Sequence, residues 1–374
     1  MFIELISIVI AFIFLLYWSG IGLTRLIIPE RFKDYELLVI PFLGLFTVLF
    51  FAHIFGIIGL GSRTFTWIIL AIITPLNVYA IKRKGLPRIN PSETLPVLVV
   101  AAVVFLVGMI PLFSEGYLTV VGTNGDAALY TMLADHFLTN GVEPPKDKGI
   151  WVTNSIISLL DTASSRIGPM YFQSMVGAVT GLEGYKTFTV LINLFNSILL
   201  VSAYLFVRGT GLLSRRSSLF AAILLGINSL LYWGAINDYL AHVMVRSALP
   251  LALAASLHML ANRDRKNLYF SIAVCSAMLM TSPESMVLLL APLFFFAALK
   301  IFRKELLPTE TVKTIALWGL VLTIINILPM SASFKWLYNL FSVGLEKGFQ
   351  AANPGDVGYF IPLTQVFGFT PPHH

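Results

Sequence analysis

Long stretches of this chain carry no Asp, Glu, Lys or Arg, and that pattern decides what it can fold into. Uncharged runs cover residues 5–24, 37–62, 64–81, 94–114, 187–207, 217–237, 267–283, 285–299 and 314–334, and a tenth, 239–262, is interrupted only by Arg246. A charge at the centre of a spanning helix costs about 2.5–3.5 kcal/mol, so charged residues punctuate membrane sequences. A hydrocarbon core of about 30 Å takes about 20 helical residues, and most of these runs reach that length. The pair that meets at Glu284 is shorter. Charged residues are 12% of the chain and hydrophobic ones 57%, against a usual charged share of about 25%. Too little polar surface remains for a soluble enzyme, a disordered protein or a nucleic-acid binder. The expected fold is an all-α polytopic membrane protein with about ten transmembrane helices.

Orientation follows from the basic residues. With the N-terminus outside, the inner connections hold Arg25, Arg31, Lys33; Lys82, Arg83, Lys84, Arg88; Arg208, Arg215, Arg216; Arg263, Arg265, Lys266; and Lys300, Arg303, Lys304, Lys313, which is 17 of 25 basic residues. The positive-inside rule therefore predicts an outer N-terminus. The first run lacks a basic leader and a small-residue cleavage site, and reads as a retained helix rather than a signal peptide. Cys275 is the sole cysteine, so no internal disulfide forms.

One connection is long. Residues 114–186 contain no spanning run and fall outside in this orientation, and loops of such length are usually functional. Leu129, Met132, Leu133, His136 and Phe137 follow the spacing of an amphipathic helix, which Asn140-Gly141 ends. A second helix is expected from Pro169 to Gly181. Both are expected to lie on the outer membrane surface.

The first of these helices opens with Gly122-Thr123-Asn124-Gly125-Asp126. The glycines permit a tight turn that delivers a carboxylate to the water interface, where Asp126 serves as a general base. The same spacing also fits a capping box between Thr123 and Asp126. Asp135 falls on the other side of that helix and reads as a solvated residue; His136 reads as packed. In the run Asn237–Arg246, Asp238, His242 and Arg246 recur every four residues and so share one helix face. Ionisable groups inside a membrane mark functional sites, and an arginine fork suits a phosphate; the competing reading is a self-satisfied ladder with Arg246 reaching outward. Thr281-Ser282-Pro283-Glu284 forms the turn between the two short helices, with Glu284 either facing the outer cavity or complementing a helix dipole. Lys335, in an aromatic interfacial stretch, serves as an anchor or contacts an anionic headgroup. No His/Cys/Asp/Glu spacing indicates a metal site. The cofactor is therefore left open, a divalent metal not being indicated. The ending at Pro371-Pro372-His373-His374 has the look of a truncation or a tag remnant.

Taken together, Gly125-Asp126-Ala127-Ala128-Leu129-Tyr130, Ala134-Asp135-His136, Asn140–Pro145, Asn237-Asp238-Tyr239 before Ala248-Leu249-Pro250, and Thr281–Glu284 resemble the GT-C superfamily of membrane glycosyltransferases. The resemblance covers residues 94–334, with seven spans and the large loop after the first. It implies three parts: an N-terminal three-helix extension (1–93), a seven-helix catalytic module (94–334) carrying the outer loop 114–186, and an extracytoplasmic interfacial tail (335–374). It also implies an inverting transfer of sugar from a polyprenyl-phosphate-linked donor to a glycan, lipid or protein acceptor. The site would lie on the outer face of a prokaryotic plasma membrane, with Asp126 as catalytic base and Arg246, His242, Asp238, Glu284 and Lys335 on substrate or lipid phosphate. The chain departs from the family pattern in its three preceding spans and in the absence of an acidic neighbour to Asp126. The alternatives are a lipid or solute transporter or flippase, without covalent chemistry, and a non-enzymatic assembly subunit.

Overall fold

A computed structural model describes residues 1–121, 126–142, 156–157, 160, 166–211, 213–226, 240–262, 264–302 and 309–331. Among them the protein is all helix, with one isolated β-bridge between Leu60 and Asn140. The helices are α1 (Phe2–Ile27), α2 (Glu36–Ile57), α3 (Ser62–Lys84), α4 (Pro91–Gly108), α5 (Ile110–Glu115), α6 (Asp126–Thr139), α7 (Ile167–Thr180), α8 (Gly184–Thr210), α9 (Arg215–Gly226), α10 (Leu240–Ala261), α11 (Arg265–Thr281), α12 (Met286–Phe302) and α13 (Thr309–Ile325). Each of the ten uncharged runs contains helix. Six segments are long and apolar enough to cross a membrane, namely Glu30–Ile57 and helices α1, α3, α4, α8 and α10. In the other four runs the described helices span 12 residues (α9) or 17 (α11, α12 and α13).

The outer surface is apolar. Ile6, Ile10 and Ile13 of α1, Leu95, Val99 and Val103 of α4, and Leu317, Leu320 and Ile324 of α13 are all exposed. Apolar patches on this scale belong against a hydrophobic partner; for helices of this length and composition that partner is lipid.

Inside the bundle, close helix contact rests on small residues. Cβ atoms added at Gly20 and Gly44 would stand 2.1 Å from the Ile40 carbonyl oxygen and 1.8 Å from that of Leu16. Backbone therefore meets backbone where α1 crosses α2, as glycines allow in membrane helices. Asn77 ties α3 to α1, accepting from the Gly22 N–H at 2.9 Å and donating to the Trp18 carbonyl at 2.7 Å.

Charged groups gather at the bundle's two ends. At one, Glu36 is 1% exposed, accepts from Arg25 at 2.6 Å and takes the Arg88 N–H at 2.7 Å. Glu93 meets Arg208 at 3.2 Å, Arg31 donates to the Gly209 carbonyl at 3.1 Å, and Lys266 approaches Glu30 at 3.8 Å. Four of the five basic connections thus touch at this end. At the opposite end, Lys186 pairs with Glu4 at 3.0 Å, and the Val142 N–H donates to the Gly56 carbonyl at 3.1 Å.

The two loop helices differ from expectation. Residues 168–177 of α7 are all buried, with α1, α2, α3, α6 and α8 packed around them. Helix α7 is inside the protein rather than laid on its surface. Its sequence carries no charge and is apolar around most of its circumference, with Gln173 bonded to the Gly184 carbonyl, as suits a buried helix. In α6 the buried face is Ala127, Tyr130, Thr131, Leu133, Ala134, His136 and Phe137, whereas Met132 is exposed. The protein-facing stripe is rotated from the one that Leu129 and Met132 mark out, because small and aromatic residues face α7 and α8.

Gly44→Ala tests the crossing of α1 and α2. Overpacking of this kind costs about 1–3 kcal/mol. The purified protein is expected to melt several degrees lower in detergent, and an unchanged melting temperature would contradict this packing.

Candidate functional site

Asp126 is the first residue of α6 and is partly buried. Tyr130, one turn on, is 2% exposed and packs on Phe188 with ring centroids 5.8 Å apart. The backbone N–H of Ala241 in α10 lies close enough to the Tyr130 hydroxyl to influence it, which sets this end of α6 near the described start of α10. Asp126 shares that face of α6 by its i, i+4 spacing.

His242 and Arg246 follow on α10, one turn apart. Pro250 has no N–H to give the Arg246 carbonyl, and the next N–H, of Leu251, donates to Ser202 Oγ of α8 at 2.9 Å. Helix α10 is thereby stitched to α8 just below Arg246. The Arg246 Nη1 is buried and has no hydrogen-bond partner among the described residues.

A cation that the sequence reading passed over joins these elements. Arg166 immediately precedes α7, and the start of α7 rests on the end of α11, where a Cβ at Gly168 would stand 2.1 Å from the Met280 carbonyl oxygen. This seats Arg166 Nε 3.4 Å from Glu284 Oε2, in the turn after α11. The Ser282 hydroxyl donates to the same carboxylate oxygen. Arg166 also lies within electrostatic reach of Asp126, Tyr130 and His242, and His242 within reach of Arg246 and Glu284. Asp126, His242, Arg246 and Glu284 therefore belong to one neighbourhood, with Arg166 linking the loop to the helix ends.

Burial lifts the Asp126 carboxyl above the ordinary carboxylate range, and the Arg166 charge draws it part of the way back. Burial also pushes the Tyr130 hydroxyl up to about 12, which keeps it protonated. Asp135 stands outside the cluster. It accepts the Gly184 N–H at 2.7 Å and so caps α8; its carboxyl is raised by burial, against the pull of that hydrogen bond. His136 is buried beside Phe137. Asp238, Lys335, the Gly122–Gly125 turn and the tail 335–374 lie outside the described residues. Among the described residues no group of three or more His, Cys, Asp or Glu side chains is placed to hold a metal. Two cavities lined by described residues lie elsewhere. One is a polar cavity of about 720 Å³ between Glu30, Arg31, Gly209, His258 and Asp264, and the other an apolar groove of about 440 Å³ between α1, α2, α4 and α8.

No protein-family model, curated protein or solved structure matches this chain. Its site has to be read from its own chemistry, in which Arg166 lies within electrostatic reach of the Asp126 carboxylate and of His242, and His242 within reach of Arg246.

Proposed function

We propose that this chain is an integral-membrane inverting glycosyltransferase that moves a sugar from a polyprenyl-phosphate donor to an acceptor hydroxyl at the extracytoplasmic face. The observation that carries the reading is that Arg166 reaches both the Asp126 carboxylate and His242, and that His242 in turn reaches Arg246. In this proposal the ten uncharged runs are ten spans. The end where the basic connections meet is cytoplasmic, in keeping with the positive-inside rule. The cluster then faces outward, on the plasma membrane of a prokaryotic cell, where acceptor and lipid-borne donor meet.

The reaction is a single displacement. Asp126 takes the proton from the acceptor hydroxyl as its oxygen attacks the anomeric carbon. The bond from that carbon to the lipid phosphate oxygen breaks on the opposite face, and the electron pair leaves with the phosphate. Arg246 offers its open N–H to the departing charge and Arg166 adds a second positive charge, a preorganised electrostatic role. Glu284 holds Arg166 in position, and His242 stands between the two arginines. The raised pKa makes the proposed base a stronger proton acceptor than an ordinary aspartate.

The direct test is transfer by the purified chain in vesicles, using a polyprenyl-phosphate sugar and a hydroxyl acceptor. Asp126→Asn is expected to abolish product while lipid-phosphate binding persists. Near-normal turnover would contradict the proposal, and flux of the lipid without a covalent product would favour a transporter. A second expectation concerns pH. A general base works deprotonated, so activity is full above the Asp126 pKa and falls as pH drops through it. Arg166 lowers that pKa. Arg166→Gln is therefore expected to move the acid limb of kcat/KM to higher pH, and an unmoved limb would separate Arg166 from the base.

A further inference from the structure

The apolar groove raises a question separate from the outer cluster. Val9, Phe12, Ile13, Leu16 and Tyr17 of α1 form one side and Leu98, Ala101, Ala102 and Phe105 of α4 another. Leu37, Pro41 and Phe42 of α2, with Leu194, Ser197, Ile198 and Val201 of α8, complete it. Its volume of about 440 Å³ falls within the usual range of ligand sites, about 300–1,000 Å³. An apolar cavity does not hold water well. Ile13 and Ala102 are exposed at its rim, so it opens sideways onto the lipid-facing surface.

The groove is not uniform along its length. From Val9 to Tyr17 it follows α1 for about 12 Å and then reaches Leu37, the residue after the buried Glu36. Tyr17 and Leu37 line this deeper end, and Pro41, lacking an N–H, leaves the Leu37 carbonyl without an i+4 donor. Beyond them lies the basic end of the bundle, where Lys82, Arg83, Lys84 and Arg88 are exposed and Arg208 is partly so. Glu36 and Glu93 are already committed there to Arg25 and Arg208, and the Arg88 N–H on Glu36 sets Arg88 beside Leu37 at the end of the groove.

We propose that this groove seats one acyl chain of an anionic phospholipid, its headgroup turned toward the basic residues between α3 and α4. The chain fills the apolar space between α1 and α4, and the glycerol region reaches the Tyr17 and Leu37 groups. Arg88 and its neighbours select for negative charge, as clustered basic residues do at an anionic leaflet. The occupant is a lipid of the bilayer, distinct from any substrate of the outer cluster. The seat also ties α1 and α2 to α4 and α8 through a shared ligand.

The test uses the full chain, delipidated in detergent and titrated with phosphatidylglycerol or phosphatidylcholine under native mass spectrometry. Phosphatidylglycerol is expected to bind in preference, with one molecule retained most strongly. Ala102→Phe and Val9→Phe fill the groove from opposite sides, and each is expected to lose that molecule while the protein stays monodisperse. Arg88→Gln is expected to reduce the preference for the anionic lipid about fivefold, the weight of one basic residue at an anionic surface. Equal retention of the two lipids would overturn the headgroup assignment. Unchanged retention in both filled variants would show ordinary surface lipid only and overturn the seat. Neither outcome bears on transfer at Asp126.

Discussion

Hydrocarbon offers no partner to a charge, and the architecture of this protein follows from that constraint. Its ion pairs, Glu4 with Lys186 and Arg166 with Glu284 at one end, Arg25 with Glu36 and Arg208 with Glu93 at the other, sit where the helices begin and stop. Between them the helices meet through glycine, through hydroxyl-to-carbonyl contacts and through the amide of Asn77. Arg246 is the exception, a guanidinium carried a turn and a half into α10 with one N–H left open. In the proposed reaction that open nitrogen is the one that meets the departing phosphate.

The arrangement around Arg246 depends on elements far apart in sequence. Helix α7 is held against α11 at Gly168, and the turn after α11 against Arg166. Each contact is small, and the ion pair between Arg166 and Glu284 is partly exposed and adds little stability by itself. Its effect is positional. It brings a second cation within reach of the carboxylate at the head of α6, so the charge on one loop tunes the proton affinity of another.

Much of this was legible in the sequence, and the reason is the cost of burying charge. The ten helix-bearing runs, the pairing of His242 with Arg246 on one face, the separation of Asp135 from Asp126 and the turn at Glu284 all follow from charge spacing and the 3.6-residue period. Arg166 was not legible, because its meaning comes from a partner 118 positions away and no local pattern marks it. The setting of α7 was misjudged for a different reason. Its position in a long polar connection suggested a surface helix, although residues 167–180 carry no charge and are mostly apolar, which called for burial. For α6, a periodic stripe gave the helix but not its rotation, since Leu129 and Met132 compete with Ala127 and Tyr130 for the inner face.

The central claim is that the loop bearing Asp126 and Arg166 closes onto the helix ends that carry His242, Arg246 and Glu284. Its most direct test is thiol cross-linking in a Cys275→Ser background, with Arg166→Cys paired either with Glu284→Cys or with Lys266→Cys at the opposite end of the bundle. A short bifunctional maleimide is expected to join the first pair efficiently and to leave the second unjoined. Failure to join 166 to 284, or equal joining of both pairs, would contradict the account.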